Sequence, residues 1–315
     1  MAHEVEGMFF VGRTPWHGLG RRVAPGISTE DAIRCAGLDW RVGTKRLITA
    51  DGDSVPALAT YRETDGKILG VVGPEYRALQ NADAFNFFEP FIASGEASYE
   101  TAGALRGGRR VWVLAKVNRA PSVIVAKSDD KIEKFVLLSN SHDGTLSVRV
   151  GFTPIRVVCS NTLALAHGDG ASKLIRLRHR TNVLANLESV REVMNVADAR
   201  FESTAEQYRR LAAREINADD LKKYVALVFT APNADENARP DHQRILSKIV
   251  PLFETGRGND LPGVRGTLWA AYNGVTEYLA YERGRSPDSR LDSLWFGPSA
   301  NLNRRALDVG IQMAA

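Results

Sequence analysis

The sequence predicts an α+β fold in which sheet-forming units come first and helices follow. Two observations lead to this prediction. Up to about residue 180, short runs of β-branched and aromatic residues alternate with Gly, Asp and Asn turns, and from residue 186 onward apolar residues recur at helical spacing. Strands and helices that are segregated along the chain are typical of the α+β class. We therefore expect a basic α+β domain with an antiparallel sheet over residues 1–183. A helical region over residues 184–315 would pack on it or extend from it.

The first hundred residues predict a three-stranded meander with a helix before it and a helix after it. Ser28-Thr-Glu-Asp31 has the pattern of a capped helix start, and that helix would end at Gly37. Asp-Gly turns separate three expected strands, over residues 40–48, 57–62 and 68–72. Asn81 would then cap a helix over residues 82–93. Together these elements form a β-β-β-α core, which is an antiparallel meander backed by helices.

The positive charge of the chain is concentrated in one β-rich segment, residues 104–180. This segment holds 14 Lys and Arg against five Asp and Glu, a net charge of +9. The whole chain has 41 basic and 37 acidic residues, so the remainder carries 27 against 32, a net charge of −5. A concentrated basic sheet face is the electrostatic footprint expected for a polyanion partner.

Most of the residues that we expect to contact nucleic acid lie in this basic segment. Its basic side chains would bind phosphates, with a contribution that weakens as salt increases. These residues are Arg106, Arg109, Arg110, Lys116, Arg149, Arg156, Arg176, Arg178 and Arg180. Strand alternation would place the last three arginines on one face and Ile175, Leu177 and His179 on the other. A solvated face of an antiparallel sheet is the alternative explanation for the three arginines. Trp112 would stack on bases.

Two short motifs allow both a functional and a structural explanation. Thr14-Pro-Trp-His-Gly-Leu-Gly20 predicts a rigid loop, in which Trp16 and His17 contact nucleic acid or the tryptophan plugs one end of the core. Ser141-His-Asp-Gly-Thr145 offers Ser, His and Asp together, but adjacent residues in one turn rarely converge as a catalytic triad. Because Asp-Gly is a strong hairpin signal, we interpret the second motif as a turn.

The helical region opens with a long apolar stripe over residues 186–214. Its members recur at alternating spacings of three and four, with an interruption at Thr204. They are Leu187, Val190, Met194, Ala197, Phe201, Tyr208 and Leu211. The stripe would pack across the protein's own sheet or meet a neighbouring subunit. Further helices are expected over residues 219–229, 243–254, 267–282 and 299–313.

Composition and spacing also limit the class of protein. No run of about 18 apolar residues indicates a membrane span, and the N-terminus has no apolar signal-peptide core. Cys35 and Cys159 are expected to be buried thiols in a reducing compartment, which indicates a cytoplasmic location. The histidines lack metal-ligand spacing, and the basic segment lacks the converging carboxylates of a metal-dependent nuclease. We therefore assign no catalytic residue, no metal and no cofactor, and expect a protein that is not an enzyme.

Several motifs together resemble one protein family. They are Trp16-His-Gly-Leu-Gly20, Leu105-Arg-Gly-Gly-Arg-Arg-Val-Trp112, Ser141-His-Asp-Gly144, Val150-Gly-Phe-Thr-Pro154, Arg156-Val-Val-Cys-Ser-Asn-Thr162 and Leu294-Trp-Phe-Gly-Pro298. In this order, over nearly the full chain, they are similar to the phage/plasmid-like family filed as domain of unknown function 932. The resemblance implies a mobile-element setting in a bacterial cytoplasm and no particular activity. At the level of fold alone, the order of elements resembles the core of single-strand annealing recombination proteins.

The leading hypothesis is a protein that binds and anneals single-stranded DNA in recombination, as an oligomeric ring or filament, for a phage- or plasmid-type element. Its partners would be DNA, other copies of the chain, and phage or host recombination proteins, with no membrane. The alternative is a non-enzymatic, oligomeric protein-binding or regulatory factor of a mobile element. A nuclease-type hydrolase is a third hypothesis, which the sequence supports least.

Overall fold

The computed structural model describes residues 5–12, 19–156, 175–177, 179, 201–230, 241–284 and 286–315. These residues form two compact units, and neither unit is one continuous stretch of chain. The first unit contains the described residues up to 119, together with 135–151, 175–177 and 179. The second unit contains residues 120–134, 152–156 and the described residues from 201 onward. A single boundary between residues 183 and 184 does not describe this division, because parts of the basic β segment belong to the helical unit.

The strands cover the first half of the chain, as predicted. They are β1 (Val5–Val11), β2 (Arg21–Val23), β3 (Val42–Ile48), β4 (Ser54–Arg62), β5 (Ile68–Val72), β6 (Ala97–Leu105), β7 (Arg110–Val117), β8 (Ser122–Val125), β9 (Asp130–Ser141), β10 (Val148–Arg156) and β11 (Ile175–Leu177). Eight of them form a large sheet in the order β11-β10-β9-β7-β6-β1-β2, with β8 paired to β9. In this sheet β1 and β2 pair in parallel, whereas the β6–β7, β7–β9 and β10–β11 pairs are antiparallel.

The remaining strands, β3 to β5, form a separate three-stranded antiparallel sheet, which confirms the predicted meander. One face of this small sheet is buried and includes Val42, Thr60 and Val72. The Thr60 hydroxyl donates to the carbonyl of His142 at 2.6 Å, so this face packs against the turn that follows β9.

Helices separate the two sheets in the sequence and fill the C-terminal half. They are α1 (Thr29–Cys35), α2 (Asn81–Asn86), α3 (Glu89–Ala93), α4 (residues 201–213), α5 (Ala218–Phe229), α6 (His242–Thr255), α7 (Leu268–Glu277), α8 (Pro287–Phe296) and α9 (Pro298–Ala314). The predicted α+β class is confirmed. Ser28 caps α1 by accepting from the Asp31 amide, as its motif predicts. Of the helices that the structure describes, none combines the length and apolar character required to cross a membrane.

The helix expected over residues 82–93 is two short helices, α2 and α3. Pro90 has no amide hydrogen to donate to the carbonyl four residues earlier, so one helix cannot continue through it. Both helices contribute to the core of the first unit, where the Phe85 ring lies 5.5 Å from the Tyr99 ring of β6. The Tyr99 hydroxyl also donates to the Phe85 carbonyl at 3.2 Å.

The core of the second unit is aromatic. Tyr208 of α4 lies 4.8 Å from the ring of Trp269 and 5.8 Å from that of Tyr272, both on α7. Phe201, Tyr208 and Leu211 of the predicted apolar stripe are all buried. The described part of the stripe therefore faces its own unit. The other members of the stripe, Leu187, Val190, Met194 and Ala197, lie outside the described residues.

A buried ion pair also lies in the second unit. Arg156, which we predicted to bind phosphate, is fully buried and bonds both oxygens of the Asp130 carboxylate at 2.7 to 3.0 Å. Its Nη1 donates to the Asn259 side chain at 3.1 Å, and the Trp269 indole donates to Asp130 at 2.9 Å. The prediction for Arg156 is therefore corrected, because a fully buried guanidinium that is paired in this way cannot reach a ligand.

We expect Arg156→Met to destabilise the second unit by about 3–5 kcal/mol, because the Asp130 carboxylate would stay buried without its partner. Asp130→Asn combined with Arg156→Met should recover part of this loss, since it removes the unpaired charge. Urea unfolding followed by circular dichroism measures both effects. Arg209→Met, which alters a partly exposed arginine of the same unit, is the control. Equal midpoints for Arg156→Met and the unmodified protein would contradict the assigned role.

Candidate nucleic-acid interface

Two motifs that are distant in the sequence lie side by side at one end of the large sheet. The first is the turn between β6 and β7, residues 106–109, which we term the diglycine turn. The second is the turn that follows β9. Arg110 pairs with Ser141 in the register of β7 and β9, and the His142 amide donates to the carbonyl of Arg109 at 2.8 Å. Strand pairing thus brings the two motifs together.

The diglycine turn has left-handed backbone. Arg106, Gly107 and Gly108 have φ angles of 53°, 64° and 87°. A Cβ atom at Gly107 would lie 2.5 Å from Nζ of Lys67, and one at Gly108 would lie 2.5 Å from Nη2 of Arg62. Glycine therefore meets two requirements here, because it accepts the left-handed conformation and lets the turn approach two basic side chains.

An ion-pair network supports this turn. Glu6 of β1 accepts hydrogen bonds from both terminal nitrogens of Arg62, and Nζ of Lys67 lies 3.7 Å from the same carboxylate. Nη2 of Arg62 also donates to the carbonyl of Gly107 at 3.3 Å. The hydrogen bond from Arg62 lowers the pKa of Glu6, and the same bond raises the pKa of Arg62. Both groups are therefore charged at neutral pH.

Arg62 also connects the turn to a buried histidine. Its guanidinium lies 4.4 Å from the ring centroid of Trp40, whose ring meets the imidazole of His142 edge-on at 5.5 Å. The Asn81 amide nitrogen donates to the carbonyls of Leu38 and Trp40, so its oxygen accepts from His142 Nε2 at 3.0 Å. Burial lowers the pKa of His142 to about 3. This imidazole is neutral at physiological pH.

The Ser141-His-Asp motif is a turn, and its three side chains have separate partners. Ser141 Oγ accepts from the Leu146 amide at 2.8 Å, and the Asp143 carboxylate accepts from the Thr145 amide at 3.0 Å. The imidazole bonds an asparagine, as described above. The geometry therefore does not form a catalytic triad. The part of the chain that the structure describes also contains no group of three or more His, Cys, Asp and Glu side chains placed to hold a metal ion.

Five basic residues have positions at or beside this end of the large sheet. Arg106 and Arg109 are exposed on the diglycine turn, and Lys67 is 44% exposed beside it. Arg149 is the second residue of β10, and the register of β10 and β11 places Arg176 directly opposite it. The strand order puts Arg149 two strands and Arg176 three strands from β7. At about 4.8 Å per strand, the backbones of Arg149 and Arg176 lie roughly 10 and 15 Å from β7. We term these five residues the basic sheet end.

His179 anchors the chain just after the edge strand β11. Its Nδ1 lies 3.2 Å from the carbonyl of Arg77 and its Nε2 lies 3.1 Å from that of Leu146. The ring stacks on Tyr76 at 4.5 Å, and burial lowers the pKa of His179. His179 is buried.

Two further predicted contacts are corrected by burial. Trp112 is fully buried, and a Cβ at the neighbouring Gly103 would lie 2.7 Å from its ring, so it packs within the sheet and cannot stack on a base. Arg110 is 8% exposed and is the first residue of β7, directly after the turn that carries Arg109. Lys116 is half-buried towards the far end of β7, away from the diglycine turn.

Other predictions lie outside the described residues. They concern Trp16, His17, Arg178, Arg180 and Cys159. Cys35 is a free thiol that is only partly buried, which corrects the expected full burial.

Sequence reasoning missed the residues that support the diglycine turn. Glu6, Trp40 and Arg62 come from separate elements, and no local pattern connects them. Lys67 follows the Asp65-Gly66 turn that the sequence does indicate, but its position beside Gly107 depends on how the small sheet packs. The doubled glycine was the available signal, because consecutive glycines indicate a close backbone approach.

The fold and this site together define an α+β protein with a basic sheet end. Residues 68–295 match the model of a family described as domain of unknown function (DUF932), so the chain belongs to this family. The matched range includes the diglycine turn and the turn after β9. No curated protein and no solved structure matches the chain.

We expect Gly108→Ala to destabilise the first unit more than Gly66→Ala does. Both glycines have left-handed φ angles, but only a Cβ at Gly108 would meet the Arg62 guanidinium, whereas one at Gly66 would meet nothing within 4 Å. The left-handed conformation alone costs about 1–2 kcal/mol for alanine. Thermal unfolding of both variants measures the difference, and equal losses would show that the turn does not need its close contact.

The buried imidazole of His142 predicts a pH dependence of stability. Its pKa is about 3 in the folded protein, below the usual value of 6.5, so the unfolded chain takes up a proton that the folded protein does not. The neutral imidazole therefore contributes to the free energy of unfolding above pH 6.5, and this contribution is lost as the pH falls from 6.5 towards 3. Between pH 7 and 5 the loss is about 2 kcal/mol. In urea titrations, we expect the free energy of unfolding of His142→Gln to fall by about 2 kcal/mol less than that of the unmodified protein between pH 7 and 5. The same pH profile for both proteins would contradict the lowered pKa of His142.

Proposed function

We propose that this protein binds nucleic acid, with single-stranded DNA as the favoured ligand, through the basic sheet end. The observation that supports this proposal is the position of Arg106, Arg109, Arg149 and Arg176 at one end of the large sheet, with Lys67 beside the diglycine turn. These residues come from four separate segments of the sequence. A row of cations of this kind complements a chain of phosphates.

The geometry of the arginines suits phosphates. A guanidinium on a turn can donate two parallel hydrogen bonds to one phosphate, and the network under the diglycine turn limits the motion of the backbone that carries Arg106 and Arg109. At the sheet edge, Arg149 and Arg176 occupy directly opposite positions.

The proposal also covers the biological setting and the reaction. We propose that the protein belongs to a phage- or plasmid-type mobile element, acts in the cytoplasm, and anneals single strands during recombination. Annealing requires several copies of the chain along one strand, so we expect a homo-oligomer. Phage or host recombination proteins would be its further partners.

We expect Arg106→Gln combined with Arg109→Gln to weaken binding to a fluorescein-labelled single strand of about 30 nucleotides. Loss of two phosphate contacts should lower the slope of log affinity against log salt concentration by about 1.4. Fluorescence anisotropy over a salt series measures both quantities. Arg34→Gln is the matched control, because this exposed arginine already pairs with Glu30 and Asp31 on α1.

An unchanged slope in the double variant would contradict the role of the diglycine turn. If the unmodified protein binds neither single-stranded nor duplex DNA at low salt, the nucleic-acid proposal is wrong. The non-enzymatic protein-binding or regulatory factor would then be the better account.

A further inference from the structure

We infer that the outer face of the three-stranded sheet is a stacking platform for unpaired bases of a single strand. The inference rests on the proposed function and adds a second contact surface to it. Phosphates would bind at the basic sheet end, and bases would lie on the side chains of the small sheet.

The register of the small sheet defines this outer face. Residues directly opposite in antiparallel strands share a face, and so do alternate residues of one strand. One row consists of Lys45, Ala59 and Val71. The other consists of Gly43, Tyr61 and Ile68, because a register shift between Thr60 and Tyr61 brings Ile68 opposite Tyr61 and leaves the neighbouring Leu69 buried. We term these six residues the outer face.

Three of the six residues of the outer face are exposed, namely Lys45, Ile68 and Val71, whereas Gly43 and Tyr61 are half-buried and Ala59 is buried. Val71 is 60% exposed and Ile68 is 48% exposed, whereas Val72 and Thr60 on the other face are buried. Ile68 and Val71 thus place exposed apolar side chains on the same face as the Tyr61 ring.

Tyr61 is the aromatic group of this face. A Cβ at Gly43 would lie 2.6 Å from the Tyr61 ring, so the ring rests against the backbone of the neighbouring strand. Nζ of Lys45 lies over the ring, 4.0 Å from its centroid. A solvent-exposed cation–π contact is weaker than the stacking of a base on an aromatic ring. An incoming base therefore displaces the ammonium of Lys45, which is then free to bind the adjacent phosphate.

The charges around the outer face favour a polyanion over a second copy of the chain. Lys45 lies on the face itself, and Lys67 directly precedes Ile68 at its border, beside the diglycine turn. The acidic residues of the same hairpin have cationic partners, since Glu63 lies 3.8 Å from Arg41 and Asp65 lies 3.5 Å from Arg62. Lys67 itself lies 3.7 Å from Glu6, so Lys45, whose ammonium lies over the Tyr61 ring, is the cation that this face presents to a ligand.

Tyr61→Leu tests the platform, because leucine keeps an apolar side chain and removes the ring. We expect binding to the labelled single strand to weaken about 5- to 150-fold, the range that stacking of one base represents, with no change in the salt slope. Lys45→Gln should lower that slope by about 0.7, since one phosphate contact is lost. Ile48→Ala is the matched control, because Ile48 is 69% exposed on the same sheet but alternation places it on the other face.

A second measurement does not depend on the variants. A single strand that carries 5-iododeoxyuridine should crosslink on irradiation to Tyr61, as mapped by mass spectrometry of the unmodified protein. If Tyr61→Leu unfolds, the crosslink and Lys45→Gln decide the question, since the Lys45 side chain is exposed.

The outcomes separate this inference from the proposed function. If the unmodified protein does not bind DNA, the proposed function itself fails. If Arg106→Gln with Arg109→Gln weakens binding while Tyr61→Leu and Lys45→Gln do not, and Tyr61 is not crosslinked, only the platform is wrong. If Val71→Glu dissociates a multimer in light scattering and leaves DNA affinity unchanged, the outer face is an interface between copies, which also overturns the inference.

Discussion

The ion pair between Arg62 and Glu6 is the interaction on which the candidate interface depends. Arg62 bonds the carboxylate of β1, the carbonyl of Gly107 and the face of Trp40, so one side chain connects the small sheet, the large sheet and the diglycine turn. Because Arg62 is almost completely buried, its charge must be neutralised inside the protein. Glu6 meets this requirement, and Arg106 and Arg109 are exposed on the turn above this pair.

Four arginines of the described residues show two different roles. Arg156 and Arg62 are buried and paired with carboxylates, and they stabilise the second and the first unit respectively. Arg106 and Arg109 are exposed on a turn that the buried group supports. The net charge of residues 104–180 overstates the charge that a ligand can reach, because Arg110, Lys134 and Arg156 contribute to it and are buried.

Local sequence signals predicted the helices and strands well. The burial of single side chains and the position of distant residues at one sheet end depend on strand order and packing, which no local signal specifies. The Ser28 cap and the Asp-Gly turns act over a few residues, and the structure confirms both. The error for Trp112 has a physical cause: the apolar run Val111–Ala115 is buried on both faces of β7, which is typical of continuous apolar runs. The placement of Arg109, Arg149 and Arg176 at one end of the large sheet follows from strand order, which no local pattern specifies.

The most direct test of this account is fluorescence anisotropy of the unmodified protein with a labelled strand of about 30 nucleotides and with its duplex, each over a salt series. We expect tighter binding to the single strand and an affinity that falls steeply as salt increases, because phosphate contacts supply much of the binding free energy. Absence of binding to either ligand at low salt would contradict it.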